Sequence, residues 1–257
     1  MPSRNNGYIT QASQLTPVAV NSIPDSSVKL VMNFNGVNGG NVFTDSSTNN
    51  LTFTAVGSSV YTSNSQVKYG NASLYLGGSG SYIYTANSSL FNFGTNDFTI
   101  EWWMYCATPW ANQVNPGIIG QKGGDGSNGW QIYKNGSMNT SEIGIRLSQQ
   151  IDVFNNSPPS TGVWEHYAVS RSGSVVRWFK NGMLTNTGTS TANIVDNSAP
   201  CNIGHTDTWG GTTTGIYIDD LRVANGKAIY TVNFTPPGEI TNAIAVYSSD
   251  YGVTNIY

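Results

Sequence analysis

Tryptophans set among Gly, Pro and Asn are the first residues in this sequence with a spacing suited to chemistry. Trp110 lies between Pro109 and Pro116, Trp130 follows Asp125-Gly126-Ser127-Asn128-Gly129, and Trp209 ends the run His205-Thr206-Asp207-Thr208-Trp209. An indole face stacks on the C–H face of a pyranose while polar neighbours pair with its hydroxyls. Trp110, Trp130, His205, Asp207 and Trp209 are therefore the expected ligand-binding residues. Tryptophan is also enriched in subunit contacts, so for Trp110 and Trp209 an interface is an equal reading. Trp102, Trp103, Trp164 and Trp178 sit in strand-like runs and read as packing.

Bond cleavage asks for other arrangements. Glycosidases flank one bond with two carboxyl groups, roughly 5–10 Å apart, which on a strand means acids two or four positions apart. The glutamates are Glu101, Glu142, Glu165 and Glu239. Only Asp97 stands at that spacing from one of them, Glu101, and it falls in the turn before the strand. Asp219 and Asp220 are adjacent and point to opposite faces of a regular strand. His166 and His205 are the only histidines. His166 lies between aromatics in a strand and reads as structural. Neither Cys106 nor Cys201 sits in a nucleophile turn, and no Cys/His cluster has zinc-ligand spacing. The expectation is a protein that is not an enzyme, with its two cysteines as buried thiols.

The bulk properties agree. A formal charge of −3, with 11 unclustered Lys and Arg residues, gives no footprint for nucleic acid. No apolar run approaches the ~18 residues of a membrane span. The opening residues lack the apolar core of a signal peptide, so synthesis in the cytoplasm is expected. Charged residues make up 10% of the chain, against about a quarter in ordinary globular proteins. Asn, Ser, Thr and Gly replace them, which favours turns and half-exposed strands over helices.

Those residues would be positioned by strands. Residues 1–27 are polar and aperiodic and read as an extended arm. From Val28 to about residue 238, short alternating runs are separated by turn clusters. Phe98 to Tyr105 is the strongest: Phe98, Ile100, Trp102 and Met104 share one face, and Thr99, Glu101, Trp103 and Tyr105 the other. Ser73–Leu76 and Tyr82–Thr85 flank Gly77–Gly80 in a hairpin-like arrangement. Asn135-Gly136 and Asn181-Gly182 suit type I′ hairpin turns, and Ser172-Gly173 is a weaker turn of that kind. Pro236-Pro237 ends the ladder. Residues 239–257 form a tail with one further strand, added or exchanged. No helical period of any length occurs. The expected fold is all-β, a two-sheet antiparallel sandwich.

The order of motifs resembles a known family. "VKLVMNFNG" at 28–36, "FTDSS" at 43–47, "FTIEWWMY" at 98–105, "GIIGQKGGDGSNGWQIYKNG" at 117–136 and "GVWEHYAVSRSGSVVRWFKNG" at 162–182 resemble the concanavalin A-like, laminin-G-like domains. "GIYIDDLRVANGKAIYTVNFTPPG" at 215–238 is especially similar to laminin-G-like proteins of bacteriophage virions. The resemblance implies a jelly roll. It departs from the family pattern at Asn35, where Asp is usual, at Glu165-His166, where two histidines are usual, and at Asn181-Gly182, where Asp-Gly is usual. Relatives hold Ca²⁺ near the rim, which makes Asn35 and Asp219 the metal candidates. The competing reading is that Asp219 or Asp220 hydrogen-bonds to the loop after the first strand. No other cofactor is implied.

The resemblance further implies a non-catalytic structural or decoration protein at the surface of a phage particle, made in the host cytoplasm. Its partners would be other virion proteins, reached through the arm or the tail, and copies of itself. The alternative is a glycan-binding lectin or host-surface adhesin using Trp110, Trp209, His205 and Asp207. A glycan-cleaving enzyme is the third reading.

Overall fold

The computed structural model describes residues 25–78, 80–124, 128–134, 142–149, 151–205 and 213–239. Most of the expected arm and tail, the Asn135-Gly136 turn, Asp207 and Trp209 lie outside them.

Apolar residues at every second position need two pleated layers to hide them, and two sheets form. The strands of the larger are β1 (Val28–Met32), β3 (Val60–Ser63), β4 (Ser73–Leu76), β6 (Phe98–Cys106), β11 (Trp164–Ser172), β12 (Val175–Lys180), β13 (Met183–Thr189) and β15 (Ile216–Asn225). Their order is β13-β12-β11-β6-β15-β4-β3. β15 pairs with β6 on one side, and on the other with β4 through Ile216–Ile218 and β1 through Leu221–Ala224. The smaller sheet contains β2 (Thr54–Val56), β5 (Tyr82–Thr85), β7 (Gly117–Lys122), β8 (Gly129–Tyr133), β9 (Gly144–Leu147), β10 (Ile151–Phe154) and β14 (Cys201–Ile203), ordered β10-β9-β8-β7-β14-β5-β2. Every pairing between these strands is antiparallel. Helix is confined, among the described residues, to single 3₁₀ turns at Ser89–Phe91 and Trp110–Asn112.

The face split along β6 is the one its sequence implies. Phe98, Ile100, Trp102 and Met104 enter the core with Leu74, Leu76, Ile216 and Ile218. Trp102 stacks on Tyr167 and meets Trp178 edge-on. Trp178 and Trp130 bury their indole N–H groups by donating to the carbonyls of Val153 and Phe91, as a satisfied interior requires. Both cysteines are buried thiols, and burial pushes Cys106 up to about 12.

Turn chemistry is partly as expected. Asn181 and Gly182 both adopt positive φ, 50° and 77°, between β12 and β13, which a type I′ turn demands. Gly77–Gly80 is different. β4 pairs with β3 and β15, while β5 pairs with β2 and β14. The glycines therefore carry the chain from one sheet to the other instead of closing a hairpin.

Asp45, in the "FTDSS" motif, is buried and accepts the N–H groups of Val31 (3.1 Å), Ser47 (2.9 Å) and Leu51 (2.9 Å). It fastens the loop after β1 to that strand.

Candidate functional site

The outer face of the larger sheet carries the chemistry. Alternation sends Glu101, Trp103 and Tyr105 of β6 outward, with Trp164 and His166 of β11 and Tyr217 and Asp219 of β15 on the same side. Part of this face is covered. After β15, residues 226–238 fold back over it: Ile229 N–H donates to Thr99 Oγ1, and the Tyr230 hydroxyl donates to Glu101 Oε2 at 2.8 Å.

Beneath this return segment is a polar cluster. Glu101 is fully buried and accepts Arg222 Nε at 2.7 Å, with Arg222 Nη2 against the same oxygen. His166 Nε2 lies 3.1 Å from Glu101 Oε2. Burial alone would raise the Glu101 carboxyl, but the Arg222 charge with the His166 and Tyr230 hydrogen bonds overcomes it and holds the group at about 2. His166 is also packed edge-on between Trp103 and Phe234, the structural role expected of it. Glu165 is likewise engaged, with Lys180 Nζ at 2.9 Å and the Tyr167 hydroxyl at 2.8 Å.

Where the cover stops, a row of aromatics begins. Tyr61, Tyr75, Tyr217, Tyr105 and Trp164 are direct cross-strand partners in sequence across β3, β4, β15, β6 and β11. Neighbouring ring centroids are 5.0, 4.9, 6.0 and 5.7 Å apart. All five side chains are half-buried. Five strands at ~4.8 Å spacing make the row about 19 Å long. Burial and neighbouring tyrosines push the Tyr75 and Tyr217 phenols up, so both stay neutral.

The row has a wall and a shelf. On one side the next outward positions, Ser63, Ser73, Asp219, Trp103 and His166, are buried under the 64–71 loop and the return segment. Tyr69 of that loop meets Trp103 edge-on, and Lys68 Nζ lies 3.9 Å from a Trp103 ring centroid. On the other side, two residues along each strand, stand Ser59, Gly77, Gly215, Ala107 and Gly162. Their ladder persists: Gly77 N–H donates to Ser59 O and Ala107 N–H to Gly215 O, both at 2.8 Å. The Tyr75 ring lies over Gly77, where a Cβ would sit 2.4 Å from it.

The residues singled out by sequence sit elsewhere. Trp110 and Trp130 are 1% and 0% exposed, so neither offers a face to a sugar. Trp110 is held inward because Lys134 Nζ donates to the carbonyls of Trp110 (3.0 Å), Ala111 (2.9 Å) and Gln113 (2.8 Å), pinning its short turn. His205 stacks on Tyr82 at 4.6 Å, beside the smaller sheet. Trp164, read as packing, is instead one end of the row.

Asn35 and Asp219 do meet, around one loop. Asp219 Oδ2 accepts the N–H groups of Lys68 (3.0 Å) and Tyr69 (3.1 Å), and Oδ1 that of Asp220 (3.0 Å). Asn35 Oδ1 accepts Asn71 N–H at 2.8 Å. Asp220 takes Asn33 Nδ2 at 2.6 Å, just beyond β1, which is the competing reading of this acid pair. Burial, with Asp220 adjacent, pushes Asp219 up to about 8 against the pull of its N–H donors. Calcium wants six to eight oxygens turned toward it, whereas these oxygens are turned to N–H groups. Asn35 and Asp219 do not fit the ion.

A family model described as the concanavalin A-like lectin/glucanases superfamily matches residues 76–228, more than half of the chain. The chain belongs to this superfamily. Solved structures of similar fold include the binding domain of Paraclostridial Mosquitocidal Protein 1 (TM-score 0.59, 16% identity, covering 79% of this chain and 49% of that one). The botulinum neurotoxin serotype G binding domain is similar (0.57, 19%, 78% and 48%). So is domain 4 of an extracellular arabinanase from Geobacillus stearothermophilus, solved with arabinotriose (0.58, 18%, 78% and 93%). The chain spans about half the length of the two toxin domains. No curated protein matches it in sequence. At these identities the likeness establishes a lectin-type sandwich and no more.

Proposed function

We propose that the chain is a non-catalytic, lectin-like binding module that serves as a structural or decoration protein on the surface of a phage particle. The half-buried aromatic row on the outer face carries the binding part of this reading, because a folded domain rarely leaves five adjacent, mutually tilted rings on one sheet face without a partner. Two similar solved domains are themselves described as binding domains, and a third, domain 4 of an arabinanase, was solved with arabinotriose. Glu101 and Glu165 are bound up with cations and phenols, which favours binding over hydrolysis. The particle setting rests on the 215–238 block and its similarity to virion proteins. The flanking residues 1–27 and 239–257 would fasten the module to capsid or tail proteins and to copies of itself.

Two measurements test the reading. Mass spectrometry of purified particles should find the chain at structural copy number, and its absence would end the virion assignment. On a panel of glycans the wild-type chain should bind without releasing reducing sugar; release would restore the enzyme. The variants Asp207→Ala and Trp209→Ala on the same panel decide whether those residues add a second contact.

A further inference from the structure

From the geometry of the row we infer its ligand class: a single, neutral, unbranched polysaccharide chain lying across the strands, one sugar unit per strand. The inference rests on the lectin-like reading and says which glycans the face takes.

Three observations carry it. The first is length and spacing. Neighbouring centroids advance by 4.9–6.0 Å, comparable to the advance of one sugar unit along an extended chain, and continue for five rings in register. A monosaccharide would use one or two of them.

The second is ring tilt. Successive planes differ by 47°, 43°, 81° and 52°. No flat surface touches all five, which removes a crystalline polysaccharide face. A single soluble chain that turns about its own axis meets each ring at a different angle.

The third is charge and access. None of the five row residues, nor Ser59, Gly77, Gly215, Ala107 or Gly162 on the shelf, is ionisable within the usual range apart from the tyrosines themselves. The wall's cation, Lys68, is turned onto the Trp103 and Tyr69 rings. Among the described residues of the row and shelf an acidic glycan finds no paired charge, while phenol hydroxyls suit neutral hydroxyl groups. The shelf is open at Gly162, where nothing lies within 4 Å of a Cβ position, while the Tyr75 ring covers Gly77 and Thr108 covers Gly215, and the wall fixes the other edge.

The test is calorimetric titration of the full chain with cellohexaose, xylohexaose, laminarihexaose and arabinohexaose, each with its shorter homologues. Polygalacturonate and microcrystalline cellulose stand as acidic and flat probes. At least one neutral hexaose should bind, with affinity rising about tenfold or more from the disaccharide to the pentaose, equivalent to ~1.4 kcal/mol. Tyr75→Thr and Tyr217→Thr should each weaken it by about tenfold, and threonine keeps the strand propensity. Tyr61→Thr, on the edge strand β3, gives a milder loss in a variant that tolerates change more readily. Melting curves verify that each variant is folded. Should the wild type bind no glycan at all, the lectin reading falls together with the inference. Binding that ignores the row variants, saturates with a disaccharide, or selects polygalacturonate or cellulose powder overturns the inference alone. So does a sedimenting dimer that Tyr217→Thr dissolves, since the row would then be a subunit contact.

Discussion

Glu101→Gln should cost ~3–5 kcal/mol of unfolding free energy in urea, the range for removing one partner of a buried ion pair. The glutamate is 0% exposed, and three donors converge on it: Arg222, the Tyr230 hydroxyl and His166 Nε2. An amide keeps the shape but turns one of its own N–H groups toward those donors. It also leaves the Arg222 guanidinium, 4% exposed, without a counter-charge. The cost is therefore one of isolation more than of a lost attraction. A double variant, Glu101→Leu with Arg222→Met, separates the two, because it removes both charges while keeping much of the volume. It should be more stable than Glu101→Gln alone. A double variant as unstable as the single one would show that packing, and not the pair, sets the cost.

The same pair gives the protein an acid limit. Glu101 is held at about 2, below its ordinary value of 4.5. A depressed carboxyl contributes its full stabilisation above the unfolded value and loses it as the pH falls through the folded one. A shift of this size corresponds to ~3 kcal/mol. Wild-type stability should fall between pH 4.5 and 2, and Glu101→Gln should flatten that limb of the stability–pH curve.

Periodicity made one layer of this arrangement legible and hid another. The alternation from Phe98 to Tyr105 identifies which side chains of β6 share a face, and the structure agrees. It does not say which outward residues are then covered. Trp103 and His166 look no different in sequence from Tyr105 and Trp164, yet the first pair is buried and the second half-exposed. The 64–71 loop over Trp103 and the return segment 226–238 over His166 make that difference, and both are remote in sequence from these strands. The row depends on register among strands that begin at residues 60, 73, 98, 164 and 216. Spacing within one strand carries no record of register between strands. A usable signal did exist: an outward aromatic near one end of each of five strands, with Ser59, Gly77, Gly215, Ala107 and Gly162 two places further out. Trp110 failed for a related reason. Pro109 and Pro116 mark its segment as a loop, and looped tryptophans are candidates for exposure. The group that holds it inward is Lys134, 24 positions on. Gly77–Gly80 shows the limit of turn chemistry, since glycines that permit a tight reversal equally permit a passage between sheets.

Gly182→Ala should reveal what holds the return segment in place. Gly182 sits at φ +77°, and a Cβ there would lie 1.9 Å from the carbonyl oxygen of Phe234. That oxygen is backbone, and it is fixed: Phe234 N–H donates to Gly182 O at 2.9 Å, and Asn233 Oδ1 accepts Leu184 N–H at 2.8 Å. The hairpin tip between β12 and β13 is thus the landing point of residues 233–236. Phe234 stacks on Tyr230 there, and Tyr230 reaches Glu101. Alanine carries the left-handed backbone penalty of ~1–2 kcal/mol and must also push Phe234 away. Gly173→Ala is the control, because Gly173 has φ +58° in the neighbouring turn but nothing within 4 Å of its Cβ position. The control should lose only the turn penalty. Gly182→Ala should lose roughly twice as much or more, as the Tyr230 hydrogen bond to a buried carboxylate weakens as well. It should also speed amide hydrogen exchange at Ile229 and Phe234, while the β4–β15 ladder beneath the aromatic row keeps its protection. Equal losses in the two variants, with unchanged exchange at Phe234, would mean that the segment stays down without the hairpin tip. The cover over Glu101 would then be held from the Thr99 and Tyr69 side instead, where Ile229 N–H and Pro237 O make their own bonds.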